Sequence, residues 1–316
     1  MPPEGKASPT APAVRQVQVT EDDAGQRIDN YLIARLKGVP KSRIYRIIRS
    51  GEVRINSGRV EASRKVVAGD RIRIPPVRVA ERDDAEPPPH YGLPILYEDD
   101  FLLAIDKPSG IAVHGGSGVA HGVIESLRAM RRDARFLELV HRLDRDTSGV
   151  LLVAKKRSAL TALHEKLRSR DMDKRYLVAV RGRFRNEVQR VRAALAEHRT
   201  REGEKRVSVS ERGVEAETVF RRLSRGAEAS LLEAELLTGR THQIRVHLSH
   251  LGHPVLGDAK YGDFELNKRL RRDGLKRMFL HAARLSFAHP VTAELLEIAS
   301  PLPPDLAKFA SREIHE

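Results

Sequence analysis

The chain has 316 residues, of which 40% are hydrophobic, so it is long enough to bury a sizeable core and to divide into two unequal domains. Lysine and arginine number 57 against 43 aspartate and glutamate, and the net charge of +14 favours a polyanionic partner such as nucleic acid. The absence of cysteine excludes disulfides, a thiolate nucleophile and cysteine-ligated zinc, and no apolar run reaches the length of about 18 residues that a membrane span needs.

Residues 1–14 are rich in proline, alanine and small polar residues and lack the apolar core of a signal peptide, so we expect a disordered tail and a cytoplasmic protein. From Ile28 apolar residues recur every four positions, which predicts a helix that ends at Gly38 and Pro40. A second helix is predicted from Lys41 to Ser50. Two short strands follow, in EVRIN and DRIRI, where apolar and polar residues alternate.

The second predicted helix has two chemically distinct faces, because its isoleucines share one side and its arginines lie roughly opposite. The isoleucines are Ile44, Ile47 and Ile48, and the arginines are Arg43, Arg46 and Arg49. Two short helices followed by a small sheet resemble the S4-type RNA-binding module. That resemblance implies that residues 15–80 form an S4-like α/β domain whose arginine row contacts RNA phosphates. On charge alone, a solvated helix face is the commoner explanation.

Residues 81–91 carry several charges and three consecutive prolines, which predicts an extended linker between two domains. From residue 92 to 316, short apolar runs alternate with helical stretches, and this pattern favours an α+β domain with a mixed, mainly antiparallel sheet. The glycine-rich stretch VHGGSG at 113–118 has neither the ending of a P-loop nor the dinucleotide GxGxxG pattern. We therefore expect a flexible loop, with contact to an RNA backbone as the alternative, and no nucleotide cofactor.

The stretch HRLDRDTSG at 141–149 places a cluster of charged side chains between two apolar runs, FLELV and VLLVAKK, that are short enough to be strands. A buried sheet rarely tolerates such a cluster unless its members pair or serve a site. Asp144 and Asp146 are two positions apart, and the neighbouring Arg142 and Arg145 can hold them charged. The competing interpretation is a polar loop with local ion pairs.

The same stretch resembles the signature H-R-L-D-x-x-T-S-G of the RluA family of RNA pseudouridine synthases, in which the aspartate is catalytic, and Asp144 matches it. KRYLVAV at 174–180 and TGRTHQIRVHL at 238–248 are similar to the other two active-site blocks of the family, in the expected order. The run at 36–56 resembles the longer members that modify large-subunit ribosomal RNA. The likeness extends from about residue 15 to the C-terminal region.

Membership of this family implies an isomerisation that breaks the bond from N1 of uracil to C1′, turns the base and joins its C5 to the same sugar carbon. Such chemistry needs an acidic side chain beside the anomeric carbon, a cation to hold it and a group that moves a proton, with no metal or other cofactor. We assign the acidic role to Asp144 and expect Asp146 to be structural. Three routes remain open. Asp144 attacks C1′, adds to uracil C6, or removes a sugar proton to give a glycal.

The resemblance implies two further catalytic residues. Tyr176, which from the sequence alone is a core or edge-strand tyrosine, takes the position that stacks on the flipped uracil and accepts the C5 proton. Arg245 takes the position of the arginine that pairs with the aspartate, and Arg240 is the weaker candidate. In the same block we predict a helix with Thr241 as its N-cap and with Gly252 at its end.

A target uridine in folded RNA must be extruded to reach such a pocket, and we expect nearby basic residues to hold the RNA. These residues are Arg142, Arg145, Lys174 and Arg240. The same region holds four histidines, His242, His247, His250 and His253. His247 and His250 have a spacing that can chelate, but no HExxH motif or cysteine supports a metal site. We expect these histidines to pack or to contact phosphate.

The sequence therefore predicts a monomeric, cofactor-independent synthase that converts uridines of 23S ribosomal RNA to pseudouridine, before or during assembly of the large subunit. A non-catalytic RNA-binding or ribosome-assembly protein of the same fold is the alternative. A histidine-metal phosphoesterase is a third hypothesis, and it predicts chelator-sensitive strand cleavage.

Overall fold

A computed structural model describes residues 14–36, 38–77, 88–116, 119–200 and 203–314. The chain forms two compact units, divided between Pro87 and Pro88. The predicted tail up to residue 13, residues 81–87 of the predicted linker and the last two residues of VHGGSG lie outside the described ranges. Within those ranges no helix has both the length and the apolar character that crossing a membrane requires.

The first unit combines two helices with a small antiparallel sheet. Its elements are β1 (Arg15–Gln18), α1 (Ile28–Arg35), α2 (Lys41–Arg49), β2 (Arg54–Ile55), β3 (Gly58–Arg59) and β4 (Arg71–Ile74), with a 3-10 turn at Glu21–Asp23. The strand order is β1-β4-β2-β3. Both predicted helices and both predicted strands are present, which confirms the α/β character expected of this part of the chain.

Helix α2 has the two faces that its sequence predicts. Its three isoleucines are buried in the core of the first unit, where they pack with apolar residues of α1 and the sheet. Arg46 and Arg49 are exposed and Arg43 is half-buried. Among the described residues, none of these three arginines forms an ion pair.

The second unit contains twelve strands and five helices within the described ranges. They are β5 (Ile95–Glu98), β6 (Leu102–Lys107), α3 (Val123–Met130), β7 (Glu138–Leu139), β8 (Ser148–Ala154), α4 (Arg157–Ser169), β9 (Met172–Arg181), β10 (Val188–Arg192), β11 (Leu195–Arg199), β12 (Lys205–Val209), β13 (Glu217–Arg225), β14 (Ala229–Leu236), α5 (Gln243–His250), α6 (Phe264–Arg272), β15 (Leu280–Ala288), β16 (Leu295–Ala299) and α7 (Pro304–Glu313).

A ten-stranded sheet organises this unit. Its main order is β10-β13-β14-β9-β15-β8-β6-β5, with β16 paired to β15 and β7 paired to β8. The pairing of β15 with β8 is parallel and the other described pairings of this sheet are antiparallel, which confirms the predicted mixed, mainly antiparallel fold. All seven residues of β8 are buried, as expected of a central strand covered on both faces. The polar stretch that precedes β8 therefore emerges directly from the core.

Candidate active site

A cavity of about 770 Å³ opens where the loop before β8, the middle of β9 and the start of α5 converge. Its walls include every residue that the sequence analysis assigned to a site in the second unit. These are Asp144, Tyr176, Arg245, Arg142, Arg145, Lys174 and Arg240. Arg142 and Arg245, which are 103 positions apart in the chain, thus line one pocket. The arginine row of α2 belongs to the first unit.

The loop that carries Asp144 is fixed by backbone hydrogen bonds. The amide of Thr147 donates to the carbonyl of Asp144 at 3.2 Å, and the amide of Gly110 donates to the carbonyl of Arg145 at 2.9 Å. The ammonium group of Lys107, at the end of β6, donates to the same Arg145 carbonyl at 3.0 Å. Lys107 is fully buried, and burial lowers its pKa to about 7. This lysine ties the loop to the sheet, a role that the sequence analysis missed.

Arg245 is hydrogen bonded to Asp144. Its Nη1 donates to Oδ2 of Asp144 at 2.8 Å, and the two side chains are 8% and 24% exposed. Burial disfavours the guanidinium charge, but the hydrogen bonds and charges of two aspartates outweigh burial and raise the pKa of Arg245. The arginine therefore stays charged, and the Asp144 carboxylate is held in place while part of it faces the cavity.

The second aspartate is Asp258, which the sequence analysis did not identify. Its carboxylate accepts Nε of Arg245 at 2.8 Å and Nη2 at 2.9 Å, and its side chain is fully buried. It also accepts the amides of Lys260 and Tyr261 at 2.8 and 3.1 Å. Burial acts against the charge of Asp258, yet these hydrogen bonds lower its pKa on balance. Asp258 fixes the orientation in which Arg245 reaches Asp144.

Tyr176 lies on β9 with 8% of its surface exposed and lines the cavity. It also packs in the main core of the unit. Tyr176 therefore has both the packing role that its sequence context suggests and a place in the pocket. Burial and the negative charge of Asp144 raise the pKa of Tyr176. The phenol therefore keeps its proton at neutral pH.

The start of α5 differs from the sequence prediction. The N-cap is His242, not Thr241, and Thr241 instead donates its hydroxyl to Glu197 at 3.1 Å. The side chain of Gln243 stabilises the turn that precedes α5, because its Oε1 accepts the amide of Arg240 at 3.0 Å. Gly252, with φ of 77°, follows the helix as predicted.

The other predicted cations line the cavity. Arg142 is exposed and forms no ion pair with the described residues, whereas Arg145 pairs with Asp146 at 3.2 Å. Burial lowers the pKa of Lys174. The Nε of Arg240 donates to the carbonyl of Glu215 at 3.1 Å rather than to Asp144. Arg245 is therefore the arginine placed to hold Asp144.

The four histidines do not converge on one point, and the described residues contain no group of three or more potential metal ligands. His247 is fully buried, with its ring nitrogens 2.9 Å from the hydroxyl of Thr218 and 3.1 Å from the carbonyl of Ala193. Nδ1 of His253 lies 2.8 Å from the carbonyl of Arg181. Both histidines thus form hydrogen bonds within the protein.

Comparisons with known proteins identify the family of the chain. A family model described as RNA pseudouridylate synthase matches residues 101–250, and one described as S4 domain matches residues 26–72. Ribosomal large subunit pseudouridine synthase C of Escherichia coli K12 is 55% identical over 92% of this chain and 94% of its own length. The protein of the same name from Pasteurella multocida is 53% identical over 94% of this chain and 93% of its own.

Solved structures lead to the same fold. Human RNA pseudouridylate synthase domain containing 1 superposes with a TM-score of 0.56 and 28% identity, covering 70% of this chain and 89% of its own. For human RNA pseudouridylate synthase domain containing 4 the TM-score is 0.57 and the identity 27%, over 69% of this chain and 92% of its own. With more than half of its residues identical to a curated relative over nearly its whole length, the chain belongs to the RluA family of RNA pseudouridine synthases.

Proposed function

We propose that this protein converts specific uridines of large-subunit ribosomal RNA to pseudouridine, with Asp144 as the catalytic carboxylate. The observation that supports this most directly is the hydrogen bond of 2.8 Å from Arg245 to Asp144 at the wall of an open cavity. The relatives named for large-subunit pseudouridine synthesis supply the substrate class. Ribosomal RNA is a polyanion, which suits the net charge of +14.

The reaction is balanced without any added reagent. The N1 to C1′ bond breaks, C5 bonds to C1′, C5 loses its proton and N1 gains one. Asp144 acts next to the sugar and uracil, and Arg245 keeps its carboxylate aimed. We assign two roles to Tyr176: its ring packs against the extruded uracil, and its hydroxyl accepts the C5 proton. Because the hydroxyl is protonated at neutral pH, it can accept the C5 proton only if its own proton leaves in the same step, and the atom that gains a proton in the balanced reaction is N1.

Two sets of cations are proposed to hold the RNA. Around the cavity, Arg142, Arg145, Lys174 and Arg240 would contact the backbone of the extruded nucleotide and its neighbours. In residues 15–80 the arginine row of α2 would contact phosphates elsewhere on the RNA. Residues 81–91 would join this domain to the synthase domain at 92–316. We place the activity in the cytoplasm, where it would act on ribosomal RNA before or during subunit assembly.

The test is carbodiimide mapping of pseudouridine in ribosomal RNA from cells that lack this protein, complemented with wild type, Asp144→Ala or Asp146→Asn. We expect wild type and Asp146→Asn to restore modification at the same sites, and Asp144→Ala to restore none while the purified variant still binds RNA. Full modification by Asp144→Ala would overturn the assignment of the carboxylate. Absence of product with wild type, together with RNA binding, would favour the non-catalytic RNA-binding protein.

A further inference from the structure

His242 has an unusual backbone conformation at the edge of the cavity. Its φ of 55° and ψ of 20° are left-handed, a conformation that costs about 1 kcal/mol or more for a residue with a Cβ. Strained positions of this kind concentrate at functional sites. The ring is 20% exposed and lines the cavity, so its placement brings an imidazole next to Asp144.

The orientation of that ring is fixed by Tyr261. Nδ1 of His242 lies 2.8 Å from the hydroxyl of Tyr261, and the two rings meet edge to face with centroids 5.4 Å apart. The hydroxyl oxygen also accepts the amide of Val207 at 3.0 Å. Its one proton is then left to donate to Nδ1 of His242. A neutral imidazole that accepts at Nδ1 carries its proton on Nε2.

The pKa shifts of both side chains agree with a protonated Tyr261 hydroxyl and a neutral His242 ring. Burial raises the pKa of Tyr261, so its hydroxyl proton is retained. Burial lowers the pKa of His242, and Arg245 acts in the same direction against the charge of Asp144, so the imidazole is neutral at pH 7. His242 is therefore a neutral N–H donor rather than a cation or a general base.

Nε2 of His242 lies 4.0 Å from Oδ1 of Asp144, which is beyond hydrogen-bond distance. A planar base that enters beside this carboxylate comes within reach of the same N–H. When the N1 to C1′ bond breaks, its electron pair goes to the uracil ring and the negative charge spreads to the carbonyl oxygens. A neutral imidazole can stabilise such charge by hydrogen bonding without giving up its proton.

We propose that His242 is a further catalytic residue of the pseudouridine synthase reaction, donating a hydrogen bond from Nε2 to a carbonyl oxygen of uracil as the base leaves the sugar. This inference rests on the proposed function. Tyr261 is the positioning residue that fixes the ring and its tautomer.

The test uses single-turnover rates and equilibrium RNA binding of the full chain, with ribosomal RNA transcript as the probe. Loss of one donor to developing negative charge slows comparable reactions by about 100- to 1000-fold, and we expect that loss for His242→Ala with unchanged RNA affinity. His242→Gln restores an N–H donor, so it should recover at least about tenfold of that loss. The single-turnover rate of Tyr261→Phe should lie between the rate of His242→Ala and the rate of wild type. His198→Gln, on an exposed histidine of β11 that does not line the cavity, is the matched control with the wild-type rate.

Three results would overturn the inference. They are a wild-type rate for folded His242→Ala, equal rates for the alanine and glutamine variants, and a wild-type pH inflection that His242→Gln removes, which would indicate proton transfer by the ring. Failure of the proposed function has a different signature, because wild type itself would then form no pseudouridine.

Discussion

Asp258 accepts two hydrogen bonds from Arg245, through Nε at 2.8 Å and Nη2 at 2.9 Å, and the third nitrogen of the guanidinium donates to Asp144. A bidentate carboxylate on a planar guanidinium fixes its position and its plane together. The direction in which Arg245 presents Nη1 to Asp144 is therefore set by a residue with no exposed side-chain surface.

Replacement of Asp258 by asparagine removes one acceptor and the negative charge behind Arg245. Because the site is buried, water cannot replace that carboxylate, and we expect the guanidinium to shift away from its present alignment. A misplacement of about 1 Å costs roughly 100-fold in rate, so the single-turnover rate should fall by about that factor with unchanged RNA affinity. Stability should fall by about 3–5 kcal/mol, as for other broken buried pairs.

Asp263→Asn provides the matched control, since Asp263 pairs with Arg181 at 2.8 Å on a more exposed surface. Rates are compared at a temperature at which circular dichroism shows each variant to be folded. A folded Asp258→Asn with the wild-type single-turnover rate would mean that this carboxylate does not position the catalytic pair.

Sequence patterns predicted the parts of the fold and the site that depend on local periodicity or on motifs. Local periodicity predicted the helices of the first unit and the strands around HRLDRDTSG. Motifs predicted that Asp144, Tyr176 and Arg245 share one site. Asp258 could not be found in this way, because it lies in an irregular loop and its partner is 13 positions away in sequence. The tertiary fold alone makes it a partner of Arg245.

The N-cap of α5 shows a second reason for failure. Thr241 has a side chain typical of an N-cap, yet the cap position belongs to His242 in a left-handed conformation. The side chain of Gln243 satisfies the amide of Arg240 and accepts the hydroxyl of Thr238 at 2.7 Å, so a threonine cap is not needed. Tertiary hydrogen bonds here override a local preference.

Tyr176→Phe tests the proton-transfer role of the tyrosine. The ring that packs against uracil is retained, so RNA affinity should not change. Loss of a proton-transfer group typically costs about 100- to 10,000-fold, and we expect a single-turnover rate lower by at least the smaller factor. Tyr97→Phe, which removes a hydroxyl bonded to Asp99 at 2.9 Å, is the control. Full activity of Tyr176→Phe would leave the tyrosine with packing alone.

The arginine row of α2 should contribute to the salt dependence of RNA binding. Each phosphate contact adds about 0.7–0.9 to the slope of log affinity against log salt concentration, so triple replacement by alanine should reduce the slope by about 2–3 and weaken binding. A matched variant neutralises three cations that already form ion pairs, Arg35, Lys268 and Arg312. This variant has the same net charge as the triple α2 variant. Equal slopes for wild type and the α2 variant would contradict the phosphate contacts.

Gly149 allows β8 to approach β15 closely. Its φ is 108°, and a Cβ there would clash with the carbonyl of Ala282 on the parallel partner strand. We expect Gly149→Ala to destabilise the protein by about 3 kcal/mol or more. Gly110→Ala is the control, because Gly110 has a φ of 87° with open space around it and should cost only about 1–2 kcal/mol. Thermal unfolding distinguishes the two, and similar melting temperatures would show that the sheet adapts to the methyl group.

His141 should make stability depend on pH in the acid range. Burial, assisted by the charge of Lys174, lowers the pKa of His141 to about 4, whereas the pKa of an unfolded histidine is about 6.5. Between these values the unfolded chain binds a proton that the folded protein does not. The free energy of unfolding therefore falls as pH decreases through this window, by about 1.4 kcal/mol per pH unit for one histidine.

Urea unfolding at about pH 7 and about pH 5 measures this effect. The Nε2 of His141 accepts the amide of Leu152 at 3.2 Å, and the carbonyl of glutamine can accept the same proton, so His141→Gln is the informative variant. It should lose about 2 kcal/mol less stability than wild type between the two conditions. His247 and His281, whose pKa values burial also lowers, continue to titrate in both proteins. An unchanged difference in His141→Gln would mean that His141 is protonated as readily in the folded protein as in the unfolded chain.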